Sequence, residues 1–237
     1  MENISYIVAS IKKWHIEEFE KIKAKIPGNW FLLNESSDLT IDYLNKINPQ
    51  YIFFPHWSEK VSEEIINSYE CVCFHETDLP FGRGGSPIQN LINKGFDKTK
   101  ISALKMTNEI DAGPIYLKKT LSLDGLAEEI YIRSAKTVFE MIETIIEKNL
   151  SPIKQMGSPT YFKRRKPDQS IIPKEISNLK ELFDFIRMLD AEDYPSAKII
   201  YNNFSIEFTR PAHRTDRIES NVVIKQVKKI KNEEKLQ

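Results

Sequence analysis

Tyr51-Ile52-Phe53-Phe54-Pro55 and Cys71-Val72-Cys73-Phe74-His75 bracket the stretch from Glu59 to Ser68. Each flank is a short apolar run, and the segment between them is longer and amphipathic. Strand, helix and strand in that order make a βαβ unit, the building block of a mainly parallel sheet. The same alternation extends upstream, with Tyr6–Ala9 before His15–Lys25 and Trp30–Leu33 before Leu39–Lys46. Downstream, Pro87 is placed to start a helix. Two more strands, Lys100–Met106 and Tyr116–Leu121, then precede a long helix from about Leu126 to Lys148. The fold class is therefore α/β, a Rossmann-like, mainly parallel sheet with helices on both faces. Ligands of such sheets bind beyond the carboxyl ends of the strands, which directs attention to Pro55–Ser58 and His75–Arg83.

After the long helix the texture changes. Ser151-Pro152 and the polar, proline-spaced stretch from Gly157 to Pro173 read as a crossing segment. Leu179–Leu189 has helical periodicity, while Ala197–Tyr201, Ser205–Thr209 and Asn221–Val227 read as short strands around turn residues. The expected division is a catalytic domain over 1–150, followed by a crossing segment and a small α+β appendage over 151–237. The charged residues from Lys228 onward are expected to fray.

Composition narrows the function classes. The chain is 41% hydrophobic and 29% charged, and no run approaches the roughly 20 apolar residues of a membrane span. Met1–Ser10 has neither a basic leader nor a cleavable apolar run, so a cytoplasmic protein is expected. Lys plus Arg and Asp plus Glu are equal at 34 each, leaving no net positive field for phosphate backbones and disfavouring a nucleic-acid partner. Two cysteines only two residues apart suit a reducing compartment better than a structural disulfide.

Glycine is scarce, eight in the chain, yet Gly82, Gly84, Gly85 and Gly95 fall around one predicted strand-to-helix turn. Such a turn permits close approach of the main chain to a ligand, or it is a tight structural turn and nothing more. Neither the dinucleotide fingerprint nor a Walker loop is present. Cys71, Cys73 and His75 alternate onto one strand face. They admit a metal site that lacks further ligands, a Cys73–His75 nucleophilic dyad, or a hydrogen-bonded histidine at a strand end. Asp111-Ala112-Gly113-Pro114 puts a carboxylate in a turn before an apolar strand, which taken alone is ordinary turn chemistry.

The order of these pieces resembles the formyltransferase family that uses 10-formyltetrahydrofolate, whose signature runs Asn-x-His, Ser/Thr-x-Leu-Pro, Arg-Gly, Pro and later Asp-x-Gly-Pro. Here the corresponding residues are Cys73-Phe74-His75-Glu76-Thr77-Asp78-Leu79-Pro80, Arg83-Gly84-Gly85-Ser86-Pro87-Ile88-Gln89 and Ile110-Asp111-Ala112-Gly113-Pro114-Ile115. The match runs from roughly Gln50 to Lys148. It implies an enzyme in which His75 and Asp111 are catalytic and Cys73 occupies the place of the family's asparagine. The pterin of 10-formyltetrahydrofolate would sit near Pro55, His56 and Trp57 and against the loop carrying Met106 and Ile110. Thr77, Arg83 and Gly84 would face the acceptor, with no metal required. A thiol donates hydrogen bonds weakly, and losing one good oxyanion donor costs about 2.7–4 kcal/mol. Either His75 or another amide then fills that role, or the chain is a catalytically silent relative.

For the acceptor, the first strand is followed by Val8-Ala9-Ser10-Ile11-Lys12 and not by the glycine-rich phosphate loop of glycinamide ribonucleotide enzymes. A chain that is short after Lys148 and neutral overall argues against methionyl-tRNA, which leaves the branch that formylates nucleotide-linked amino sugars. Tyr161–Pro167, Ile186-Arg187 and Tyr194–Ala197 resemble segments of that branch, and Phe81–Ser86 with Cys73 resembles its pseudaminic-acid-type subgroup. Arg164 and Arg165 would then grip a pyrophosphate, or simply form a solvated basic strand. The implied partners are small molecules, folate and a nucleotide sugar, with neither nucleic acid nor membrane; a homodimer stays open.

Overall fold

Along each inner strand, successive side chains enter two different cores, which is why these strands are apolar at almost every position. In the first strand, β1 (Ser5–Ala9), Tyr6 and Val8 join one core, whereas Ile7 and Ala9 join the other. Phe53 and Ile52 of β3 (Tyr51–Phe54) divide in the same way, as do Val72 and Cys71 of β4 (Cys71–His75). The computed structural model describes residues 4–227. The expected fraying of the tail from Lys228 lies outside them.

Strand β2 (Asn29–Leu33) completes the parallel part of a six-stranded sheet, in which β2, β1, β3 and β4 are neighbours in that order. Past the two-residue β5 (Arg83–Gly84) come β6 (Lys98–Lys105) and β7 (Ile115–Ser122), which close the sheet beyond β4. β6 runs antiparallel to both β4 and β7. Helices cover both faces, as expected of a Rossmann-like α/β fold. α2 (Ile41–Ile47) and α3 (Glu63–Ser68) close one core; α1 (Lys13–Lys25), α4 (Pro87–Asn93) and α5 (Ala127–Glu147) close the other. α3 starts four residues later than the apparent amphipathic stretch because Ser62 caps it, its hydroxyl accepting from Ile65 N at 3.3 Å. At the head of α5, the Glu129 carboxylate reaches back to Leu126 N at 2.8 Å, satisfying one of the orphan donors of a helix start.

From α5 the chain returns through β8 (Tyr161–Phe162), which pairs with β5. α6 (Leu179–Arg187) is locked onto the main body by buried Arg187, whose guanidinium donates to Asp184 and to the carbonyls of Leu123 and Gly125. β9 (Ala197–Tyr201), β10 (Phe204–His213) and β11 (Ile218–Gln226) form a separate antiparallel sheet in the order β11-β10-β9. β10 continues past Thr209, where the sequence pattern stops, because an irregularity at Arg210 and Pro211 lets pairing with β11 resume at Ala212. No helix among the described residues is long and apolar enough to cross a membrane.

Candidate active site

β4 ends at His75, and the chain then turns so that the carbonyl of Gly82 meets the imidazole Nε2 at 2.7 Å. A carbonyl only accepts, so Nε2 carries the hydrogen and Nδ1 is the nitrogen left for chemistry. Nδ1 stands 3.6 Å from the Asp111 carboxylate. Asp111 is held in the left-handed backbone region, with φ of 54°. Its carboxylate also accepts from Gly84 N at 2.8 Å, so the two motif segments are tied together directly. Two close approaches fix this arrangement. Gly84 has φ of 102° and a Cβ there would lie 2.4 Å from the Phe162 carbonyl oxygen, while a Cβ on Gly113 would lie 1.8 Å from that of Lys105. Gln155 clamps the turn by donating to the carbonyls of Asp111 and Gly113, both at 2.8 Å.

His75, Asp111 and Cys73 line one cavity of about 1050 Å³. Burial, with the Asp111 charge adding to it, pushes the Cys73 thiol well above its usual range. It therefore stays a neutral S–H at physiological pH, which removes the physical basis of the nucleophilic dyad. Of the residues expected around the pterin, His56, Trp57, Met106 and Ile110 line the cavity. Pro55 does not; it is packed at the end of β3.

On the acceptor side, Gly84, Arg164 and Arg165 line the same cavity. Arg165 is also structural, its guanidinium donating to Gln169 O and lying 5.6 Å from the Phe185 ring centre. Thr77 and Arg83 stand elsewhere. Thr77 is buried, with its carbonyl accepting from Ser102 Oγ at 2.7 Å. Arg83 turns to Glu109 and Gln155, at 3.0 and 2.9 Å, and braces the Asp111 loop from behind.

Sequence reasoning passed over Glu76, Gln89, Tyr131 and Gln155. The first three line the cavity. Glu76 is buried, and its carboxylate lies 3.7 Å from His56 Nδ1. Burial pushes its carboxyl up, but His56, His75 and backbone hydrogen bonding outweigh burial and hold it below the ordinary glutamate value. An acidic residue ending an apolar strand was the available signal; Gln155 had none.

A family model described as the methionyl-tRNA formyltransferase C-terminal domain matches residues 167–225. The solved methionyl-tRNA formyltransferase from Clostridium thermocellum is 44% identical, with a TM-score of 0.91 over 94% of this chain and 99% of that one. The methionyl-tRNA formyltransferase of Thermotoga maritima is 24% identical over 175 residues, 70% of this chain. This chain spans 55% of that relative's length. A solved sugar N-formyltransferase from a Shewanella species has a TM-score of 0.71 over 90% of this chain and 99% of its own, at 14% identity, and so shares the fold alone. These likenesses overturn the nucleotide-sugar reading, and with it the pseudaminic-acid subgroup and the grounds for setting nucleic acid aside. Neutral net charge and a short C-terminal part are bulk properties, and they do not read an acceptor.

Proposed function

We propose that this chain, which belongs to the formyltransferase family, transfers the formyl group of 10-formyltetrahydrofolate to the amino group of methionyl-tRNA. The observation that carries the reading is the His75–Asp111 pair at 3.6 Å, with Nε2 anchored on the Gly82 carbonyl. Attack of an amine nitrogen on the formyl carbon develops an oxyanion and requires a proton to leave the nitrogen. His75 Nδ1 accepts that proton, and the adjacent carboxylate stabilises the imidazolium that forms. Tetrahydrofolate leaves as its nitrogen is protonated.

In this reading Trp57, Met106 and Ile110 supply apolar surface for the pterin and His56 edges the same cavity. Cys73 S–H is a weak donor towards the oxyanion. The terminal adenosine and methionyl group enter from the side of Gly84–Pro87, past the exposed Arg164 and Lys166 at the rim. Residues 1–150 would bind folate and perform the transfer, and residues 151–237 would present the acceptor. Incubation with 10-formyltetrahydrofolate and methionyl-tRNA, followed by release of the amino acid, should give formylmethionine by mass spectrometry. Turnover should fall steeply with salt, as phosphate contacts require. Methionine recovered unformylated at all salt concentrations would overturn the assignment.

A further inference from the structure

Beside His75 and Asp111 the cavity holds a second imidazole–carboxylate pair, and we infer that it is the site where the acceptor's ammonium group loses its first proton: His56, backed by Glu76, is the base. The inference rests on the formyl-transfer reading above and assigns to that reaction a step that His75 does not perform. An aminoacyl ester amine is substantially protonated near neutral pH, and only the free amine attacks a formyl carbon. Two protons must therefore leave the nitrogen, one before attack and one during it.

The two pairs are alike in geometry. His56 Nδ1 lies 3.7 Å from Glu76 and His75 Nδ1 lies 3.6 Å from Asp111. His56 and Glu76 both line the cavity shared with the first pair. His56 has φ of 50°, a backbone region that non-glycine residues adopt at a cost and that concentrates at functional positions. With Nδ1 turned to a carboxylate, the favoured tautomer puts the hydrogen there and leaves Nε2 to accept.

The surroundings suit an incoming cation. The ring of Tyr131 meets His56 edge-on at 4.9 Å, and Tyr131 Oη bonds Tyr194 Oη at 2.7 Å and Gln89 Nε2 at 2.9 Å. Gln89 is only 1% exposed, yet its Oε1 has no hydrogen-bond partner among the described residues. That oxygen is sealed from solvent, so Gln89 acts by holding the Tyr131 hydroxyl in place beside His56. The charges facing His56 are few. Glu76 is held ionised, and on the α1 side burial keeps His15 neutral, with His56 and Lys12 adding to the effect, down to a pKa of about 3. Lys12 is itself paired with Asp193 at 3.0 Å.

The balance closes without any further reactant. The ammonium N–H bond breaks and its proton goes to His56 Nε2. The freed electron pair forms the bond to the formyl carbon, and the second proton goes to His75. The bond from the formyl carbon to folate N10 breaks, and His75 returns its proton to N10. Formamide and tetrahydrofolate result, and the His56 imidazolium releases one proton to water.

The test is the pH profile of kcat/KM with methionyl-tRNA for wild-type, Glu76→Gln and His56→Asn, asparagine being chosen because it tolerates the left-handed backbone. Below the pKa of the acceptor amine each variant should lose about tenfold or more. Above it, the deficit should shrink to about threefold or less, because the amine then arrives neutral. A merely structural role would lower both ends of the profile alike, and a deficit of equal size at every pH, or none at any pH, would overturn the inference. Should Glu76→Gln melt early, His56→Asn carries the same comparison. Wild-type protein that yields no formylmethionine refutes the transfer reading itself, a result distinct from a flat variant profile.

Discussion

Strands β4 and β11 each carry a run of apolar residues, yet these runs live in opposite surroundings. Cys71, Val72 and Phe74 of β4 are 1%, 0% and 7% exposed, while Val222, Val223 and Ile224 of β11 are 50%, 47% and 64% exposed. β4 sits mid-sheet between β3 and β6, with a core on each face. β11 is the edge of a three-stranded sheet. A strand immobilised on both edges and both faces can aim the residues at its end, and β4 ends in His75, with Glu76 directly after it. Apolar content alone does not say which of these strands carries the chemistry.

The largest effect should come from the end of β4. Asp111→Asn keeps the acceptor oxygen for Gly84 N but removes the charge beside His75, and His75→Asn removes the base. Each should lower kcat by about 10²–10⁴-fold while the melting temperature stays near that of wild-type. Activity within a few-fold of wild-type in either variant would show that precise placement at β4 does not serve catalysis.

A backbone substitution tests the same region through its packing. Gly113→Ala puts a methyl 1.8 Å from the Lys105 carbonyl oxygen, where main chain cannot yield cheaply. Destabilisation of about 1–3 kcal/mol is expected, with lost activity as the Asp111 turn shifts. Denaturant unfolding measures the first and formyl transfer the second. A stable, active Gly113→Ala protein would mean that the turn has slack.

Buried His15 gives a pH signature to the same half of the molecule. Its folded pKa, lowered to about 3 from an ordinary 6.5 chiefly by burial, lies below the unfolded value. The unfolded chain therefore binds a proton that the folded one refuses, and His15 contributes no penalty above pH 6.5 and a growing one as pH falls from there towards 3. At pH 5 the loss is about 2 kcal/mol. His15→Gln should flatten this acid slope of the melting temperature, and an unchanged slope would remove His15 as its cause.

What the sequence discloses follows the range of the interactions. The strands and helices up to β4, the long α5 and the Asp111 turn are legible because short-range periodicity and turn chemistry specify them. His75 and Asp111 come together through the motif order carried by the family resemblance. Long-range partners are not legible. The antiparallel course of β6, the β5–β8 pairing and the turning of Arg83 to Glu109 and Gln155 depend on segments up to 78 residues apart in the chain. Glu76 escaped for a different reason. It follows the last residue of β4, in the bend where the chain leaves the sheet, and lines the cavity with Tyr131; a motif read as a line of residues hides that position.

The smallest effect should come from the exposed face of the C-terminal sheet. Strand register puts Val222 and Ile224 on the side shared by Ile206 and Phe208, and both are half or more exposed, so a polar β-branched replacement forfeits little burial and keeps strand propensity. The double variant Val222→Thr, Ile224→Thr should change stability by less than about 0.5 kcal/mol, a melting shift of roughly 1–2 °C for a chain of this size. Formyl transfer should be unaltered, since neither residue lines the cavity. The contrast with β4 fails if the variant melts many degrees lower and the drop depends on protein concentration. That pattern would mean a second copy covers the β11 face, and sedimentation of wild-type and variant side by side would then show the dimer lost. If the melt is unchanged and the wild-type sediments as a monomer, the exposed apolar edge is tolerated as it stands, and the difference between the two sheets is one of burial alone.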